Sequence, residues 1–327
     1  MIEHFPCSVC GGQKWQVLLE CEYDADRLPE DEDLKRRFRV LFEVWFPNRS
    51  SVELHLLACE RCGFVCYSPR PTKSDLNDKY SFLQEYAREN SLENGERQSE
   101  RERLNEKRAL GLYKQVSRYL AERENEKRIL DYGGGQGQLM AGFADAGWEC
   151  ELIDYNSRTV PFVTKIGNTV KDANVLKPYN CIVLSHVLEH VADPLNLCRR
   201  VLKWLKKEGI IYVEVPFELW GGLPNLVEPV THVNWFTPGS LTTLMHLAGA
   251  DVTKCEVSEY WSQPSDRLGE CVVAIGRQNS NSKDEPFAHL LRDLEVILAP
   301  SFYEQLKHKL HTPRITFRNI LHRLNLR

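Results

Sequence analysis

The chain has 327 residues, 42% hydrophobic and 27% charged, which suits a globular protein with one sizeable core plus a smaller unit. No apolar run approaches the ~18 residues of a membrane helix, and the start MIEHFPCSVC has no basic segment followed by an apolar one, which predicts a cytoplasmic protein. The net charge of −4 argues against a nucleic-acid substrate, which demands a basic surface.

The first chemistry along the chain is thiol chemistry. With no export signal, the 11 cysteines are not read as disulfides. Cys7-Ser-Val-Cys10-Gly11 and Cys59-Glu-Arg-Cys62-Gly63 are two CxxCG turns, each aiming two sulfurs at one centre. Together they offer the four thiolates that structural Zn²⁺ prefers, with no position left for a catalytic water. Cys7, Cys10, Cys59 and Cys62 are therefore the expected metal ligands, with Cys21 and Cys66 as spares. An acidic, partly helical insertion is expected over roughly Glu20 to Pro47, and SVELHLLAC reads as a strand leading into the second turn. This unit is bounded at residues 1–72.

Residues 73–127 are rich in helix formers. Leu104, Ala109, Leu112, Val116 and Leu120 recur at helical spacing, so the stretch is expected to be a helical connection. From Arg128 the pattern changes to alternating strands and helices. Strands are expected at Arg128–Tyr132, Cys150–Asp154, Thr169–Lys171, Cys181–Ser185, Gly209–Val215, Val252–Val257 and Cys271–Ile275, with helices between the early ones. That predicts an α/β fold, a mostly parallel sheet with helices on both faces, over residues 128–280. A helix is expected from Pro238, with Leu241, Leu244 and Leu247 as core.

The loop after the first of these strands reads Asp131-Tyr-Gly133-Gly-Gly135-Gln-Gly137-Gln138. A dinucleotide fingerprint would need a third glycine at position 138, where glutamine stands. Asp154, at the end of the second strand, suits an acid that accepts hydrogen bonds from both hydroxyls of a ribose. The acid followed by GxGxG resembles motif I of the class I S-adenosylmethionine-dependent methyltransferases. So do Asp154, the Val170-Lys-Asp172-Ala173 stretch, the Ser185-His186-Val-Leu-Glu189-His190-Val-Ala-Asp193-Pro194 signature and the strand Gly209–Pro216. The resemblance implies a Rossmann-like methyltransferase sheet binding S-adenosylmethionine. Asp131 would face the ammonium group, and Gly133, Gly135 and Gly137 would make room for the carboxylate end and the ribose. Asp172 would take the adenine amino group, the backbone of Ala173 another ring position, and Ser185 is counted with the cofactor residues.

A two-knuckle cysteine unit ahead of such a core resembles the zinc-containing sugar methyltransferases, which act on nucleotide-linked sugars or on surface polysaccharides. In that family a histidine after the fifth strand is the base. His232 in Glu228-Pro-Val-Thr231-His232 matches it, while Thr231 stands where the C-methylating members often carry glutamate, so both C- and O-methylation remain open. His190 is the second candidate base. An aromatic residue at Tyr80 or Tyr86 would line the cleft or contact the cofactor's carboxylate, and Tyr86 is the third candidate catalytic residue. Glu214 either binds a sugar hydroxyl or caps the strand end, and Trp220, Trp235 and Phe236 either stack on the acceptor or pack the core.

The rival functions are methylation of a non-sugar metabolite and, from another class, a zinc-dependent nucleic-acid or protein-binding module with a scaffold methyltransferase core. Residues 281–327 are expected to form a helical basic tail, with Lys307, Lys309, Arg314, Arg318, Arg323 and Arg327 against Glu304, suited to a membrane surface or an anionic partner.

Overall fold

A computed structural model describes residues 5–89, 96–120, 127–156, 158–171, 173, 177–218, 228–261 and 268–279. The tail at 281–327, Trp220 and Asp172 lie outside the described residues, as does the side chain of Tyr86.

The amino-terminal unit is a small antiparallel sheet of β1 (Trp15–Asp24), β2 (Ser51–Cys59) and β3 (Val65–Ser68), with α1 (Glu32–Val40) between β1 and β2. The acidic stretch expected as an insertion from Glu20 therefore begins as strand. Its acids obscure a two-residue period in which Leu19, Cys21 and Tyr23 are buried while Glu22 between them is exposed. Such alternation is what a half-buried strand needs. α1 starts at Asp31, whose carboxylate accepts the Leu34 N–H at 2.9 Å, and ends with Arg37 and Arg39 in its last turn. Both ends thus oppose the helix dipole. Phe38, Leu41, Leu54, Leu56 and Tyr23 form the core of this unit.

The helical connection is α2 (Lys73–Glu89) followed by α3 (Glu96–Val116). The main domain then runs β4 (Arg128–Tyr132), α4 (Ala141–Asp145), β5 (Glu149–Ile153), β6 (Thr164–Gly167), β7 (Tyr179–Ser185), α5 (Pro194–Leu202) and β8 (Leu205–Pro216). It continues with β9 (Asn234–Trp235), α6 (Pro238–Ala248), β10 (Ala250–Trp261) and β11 (Leu268–Gln278). Seven strands form one sheet in the order β10-β11-β8-β7-β4-β5-β6. β4 to β8 pair in parallel, and β11 runs antiparallel to both β8 and β10.

The central strands β4, β5, β7 and β8 are buried on both faces because each carries an apolar run. Leu130, Ile182, Leu184, Ile211 and Val213 point towards α5 and α6 and pack with Leu197, Val201, Leu241 and Leu244. Ile129, Cys181, Val183, Ile210 and Tyr212 point the other way, onto Leu112 and Val116 of α3 and Phe143 of α4.

The third strand is not at Thr169–Lys171. It lies at Thr164–Gly167, pairing Thr164 with Glu151 and Lys165 with Leu152, and positions 169–171 turn instead. β6 is an edge strand without a buried apolar run, so nothing in its composition marks it. Among the described residues between β5 and β6 there is no helix, a second departure from the expected alternation. Among the described residues, too, no helix is long and apolar enough to cross a membrane.

β9 joins the two parts of the molecule. Val65 and Cys66 of β3 pair with Trp235 and Asn234, so the amino-terminal sheet takes its fourth strand from the loop region after β8. Arg70 locks the same junction: one Nη2 donates to Asn234 Oδ1 at 2.6 Å and to the Ala192 carbonyl at 2.8 Å. The Asn234 amide in turn donates to the carbonyls of Leu188 and Val191 at 2.6 and 2.7 Å.

Candidate functional site

β4 has β5 on one side and β7 on the other, so strand order reverses beside it and the loop after β4 opens at the switch point of the sheet. There the chain turns through Gly133, Gly135 and Gly137, all in the left-handed region at φ 74°, 64° and 84°. Asp131 lies beneath this elbow, fully buried, with neither carboxylate oxygen receiving a hydrogen bond. Burial first, and the charge of Asp154 second, push its carboxyl up to about 7, against the pull of Arg108. A Cβ on Gly134 would overlap the Asp131 carboxylate, so this glycine, which the GxGxG pattern skips, is the one the acid most requires.

Asp154, at the end of β5, accepts the Gly135 N–H at 2.8 Å on one oxygen and the Asn156 N–H at 2.7 Å on the other. It steadies the glycine loop and keeps a lone pair on each oxygen for a further donor. Ala173 is tied back by its N–H to the Thr169 carbonyl at 3.1 Å. An orphaned buried acid under a glycine cradle, with a second acid beside it, fits a ligand that brings an ammonium group and hydroxyls.

Beyond β7 a second polar cluster forms. Ser185 donates to Glu214 Oε1 at 3.0 Å. Arg108 of α3 reaches the same oxygen at 2.8 Å, Tyr212 donates to Oε2 at 2.8 Å, and His186 Nε2 stands 3.0 Å from Oε1. Burial would raise the Glu214 carboxyl, but His186, Arg108 and Tyr212 hold it at about 2. Glu214 thus lies within β8, with both of its oxygens engaged by side chains. His186 sits at φ 54°. Burial would lower its pKa, but hydrogen bonding and charge from Glu189 and Glu214 raise it to about 9.

The next turn brings together the two histidines singled out in the sequence. The rings of His190 and His232 lie 4.8 Å apart. His190 Nδ1 is 2.8 Å from the Thr231 carbonyl oxygen, and burial holds this ring at about 3. His232 Nδ1 is 2.7 Å from Glu218 Oε2. Burial opposes charging of His232, yet Glu218 raises its pKa through the hydrogen bond and its charge. Glu189, buried, completes the group. Thr231 does not face this space as a substitute for glutamate: its hydroxyl and N–H bond the buried carboxylate of Glu228. Tyr80 on α2 is 39% exposed, and its hydroxyl is pushed up to about 12 by burial and by the charges of Glu189 and Asp154.

Trp235 and Phe236 are 1% exposed and belong to the core. Trp235 packs edge-on against Tyr67 and Phe236 against Phe64, and neither is free to stack on an acceptor. Sequence reasoning missed Gly134, Arg108 and Glu218 and gave no role to His186 or Glu189. The spacing of His186, Glu189 and His190, three titratable residues within one turn after a buried strand, was the available signal for the last two. Arg108 and Glu218 carried none.

In the amino-terminal unit Cys7, Cys10, Cys59 and Cys62 are all buried and converge. Sγ–Sγ distances are 3.6 Å for Cys7–Cys62 and for Cys10–Cys59. That is close to the ~3.8 Å edge of a tetrahedron with 2.3 Å Zn–S bonds. Cys21 and Cys66 stand outside this cluster.

Residues 103–254 match the family model for a methyltransferase domain. A search of curated proteins finds no match. Among solved structures, one similar chain is from the Haloferax volcanii complex between the Trm112 methyltransferase activator and a proposed methyltransferase. It has 13% identity and TM-score 0.43, over 56% of this chain and 95% of that one. A Methanosarcina mazei S-adenosylmethionine-dependent methyltransferase gives 16%, 0.40, 52% and 99% on the same measures. A possible histamine N-methyltransferase from Thermotoga maritima gives 17%, 0.40, 55% and 94%. The match to a methyltransferase domain thus spans residues 103–254, and the activity it supports is S-adenosylmethionine-dependent methyl transfer.

Proposed function

We propose that the protein methylates a hydroxyl group of a sugar, either nucleotide-linked or within a glycan. Bound S-adenosylmethionine supplies a methyl group on a cationic sulfur, open to attack by an oxygen lone pair. Asp131 would hold its ammonium group, the backbone of Gly133, Gly135 and Gly137 its amino-acid and ribose portions, Asp154 the ribose hydroxyls, and Asp172 and Ala173 the adenine, with Ser185 at the same strand ends. The chain's remaining tasks are to align the acceptor and to accept one proton.

The observation that carries the reading is the His232–Glu218 pair at 2.7 Å, beside His190 and at the same edge of the sheet as the glycine elbow. A carboxylate on Nδ1 fixes the tautomer with Nε2 as acceptor and raises the basicity of the ring. His232 is accordingly the base, and a hydroxyl proton is within the reach of such a pair. Glu189 and His190 offer further acceptors to the hydroxyls of a polyol. The four-cysteine cluster is read as a structural zinc site that stiffens the sheet carrying β9, and so the loop that carries His232.

The test is transfer of labelled methyl to a panel of nucleotide sugars and polysaccharide fragments, followed by mass analysis. Label is expected on a sugar oxygen, with turnover lost in His232→Ala while S-adenosylhomocysteine affinity is retained. A protein that binds S-adenosylhomocysteine yet labels no sugar in the panel, and does label an amine or a lipid, would move the acceptor to another class.

A further inference from the structure

The acceptor end of the cleft holds a second cluster of metal-binding residue types. Glu189, His190 and His232 each present one ligand atom, all within 4.8 Å of one another. Three features separate this trio from an ordinary buried polar group. First, His190 Nδ1 faces a carbonyl oxygen at 2.8 Å and His232 Nδ1 a carboxylate oxygen at 2.7 Å. Both partners only accept, so both Nδ1 atoms carry hydrogen and each ring keeps its Nε2 lone pair. Metal-binding imidazoles are held in this way, by an acceptor on the nitrogen that does not bind.

Second, Glu189 is 1% exposed and its carboxylate has no hydrogen bond shorter than the 3.4 Å contact from His186 Nδ1. Oε1 faces His190 Nε2 at 3.7 Å, acceptor against acceptor. His186 Nδ1 stands 3.4 Å from the same oxygen but is shared with Glu214 on its other nitrogen. His186 offsets part of the cost of this buried carboxylate, and a small cation among Glu189, His190 and His232 would engage the lone pairs that remain. Third, the group is not sealed, since the His190 side chain is 26% exposed.

We infer that Glu189, His190 and His232 form a binding site for a divalent first-row transition cation that takes the acceptor's hydroxyl oxygen. Two imidazoles and one carboxylate suit Mn²⁺, Fe²⁺, Co²⁺ or Zn²⁺ better than Mg²⁺ or Ca²⁺, which favour oxygen alone. Ligand atoms about 2.1 Å from one ion lie ~3 Å apart, so the three side chains draw inward when it binds. Three protein ligands leave positions open for an acceptor oxygen, whose proton the cation makes more acidic. The O–H bond breaks with its proton passing to water. The oxygen keeps the electron pair and forms the O–CH3 bond, while the S–CH3 bond breaks with its pair on sulfur, leaving S-adenosylhomocysteine. The inference deepens the sugar-hydroxyl reading and rests on it: with the cation in place, His232 acts on the proton through the metal rather than by taking it.

The experiment is titration of the purified full chain with Mn²⁺, following the electron paramagnetic resonance signal of the free ion, with Co²⁺ absorbance in parallel. Mn²⁺ avoids thiolate sites, so the cysteine cluster does not contribute. One Mn²⁺ per chain is expected in the wild type, with at least about 100-fold weaker binding in Glu189→Gln and His190→Ala. An S-adenosylhomocysteine melting shift retained in both variants shows that they are folded. Binding of neither Mn²⁺ nor Co²⁺ by the wild type, or equal binding by wild type and variants, overturns the site. Those results would leave the methyl-transfer reading standing if His232→Ala still loses turnover. Loss of sugar labelling in a wild type that binds Mn²⁺ would instead strike the acceptor reading.

Discussion

The carboxylate of Asp131 occupies the space directly beneath Gly134, where any side chain would overlap it. The acid and the glycine are thus one device: the backbone passes over the buried charge at a distance only a hydrogen on Cα permits. Gly134→Ala is expected to lose about 1–3 kcal/mol of stability through overpacking and to abolish the melting shift given by S-adenosylhomocysteine. Gly135→Ala, where nothing lies within 4 Å of the new Cβ, carries only the strain of its positive φ and should keep part of that shift.

The state of Asp131 gives a pH signature. Its carboxyl is raised from 3.8 to about 7 in the folded, ligand-free chain. Between those values the folded state holds a proton that the unfolded state has lost, so stability falls as pH rises from about 4 to 7. Relative to Asp131→Asn, whose neutral amide has no such slope, the wild type should lose up to about 4 kcal/mol across that window. A ligand ammonium needs the ionised acid, so S-adenosylhomocysteine affinity should rise over the pH range 5.5–8 and flatten in the variant. Calorimetric titration at several pH values reads both.

Asp154 has two tasks, holding the Gly135 N–H and, in the proposed complex, the ribose. Asp154→Ala removes charge-assisted hydrogen bonds of about 1.5–3 kcal/mol each. The dissociation constant for S-adenosylhomocysteine should rise by about 10- to 100-fold. Equal affinity in wild type and variant would place the ribose elsewhere.

The convergence of Cys7, Cys10, Cys59 and Cys62 predicts one tightly held zinc per chain, retained through dialysis against a weak chelator. Cys59→Ser should cost at least about 4 kcal/mol, with the loss concentrated in the four-stranded sheet. Because β9 belongs to that sheet, methyl transfer should fall with it. Metal analysis that finds no zinc in freshly purified protein would remove the assignment.

Arg70 offers a test of how the two parts cooperate. Arg70→Ala leaves Asn234 Oδ1 and the Ala192 carbonyl without their donor, at a cost of about 2–3 kcal/mol. Ala192 lies two residues after His190 and Asn234, in β9, two after His232, so turnover should drop more than cofactor affinity. Urea melts and binding titrations on the same sample separate the two effects.

What was legible in the chain and what was not divides along a physical line. Signals carried by neighbouring residues could be read directly: the CxxCG turns, the acid-and-glycine loop after a β-run, the apolar strands of the parallel sheet, the helix opening at Thr237 and Pro238. Each rests on local backbone geometry or on burial of both faces, which leaves a mark in composition. The strand at Trp15–Asp24 was hidden because its outward-facing acids outweigh its period-two core in a composition count, and β6 because an edge strand needs no apolar run.

The candidate site shows the same division. Asp131, Asp154 and the cysteine set could be named from spacing, whereas Arg108 reaches Glu214 from a helix 106 positions away. Glu218 meets His232 only because the chain after β8 folds back onto the amino-terminal sheet through β9. By itself the sequence determined the fold class, the glycine loop and the cysteine cluster, since these are written in short stretches. That His190 and His232 lie ring beside ring, each with its own acceptor at Nδ1, was decided only by tertiary packing, because hydrogen-bond direction and desolvation depend on partners that the chain brings together from far apart.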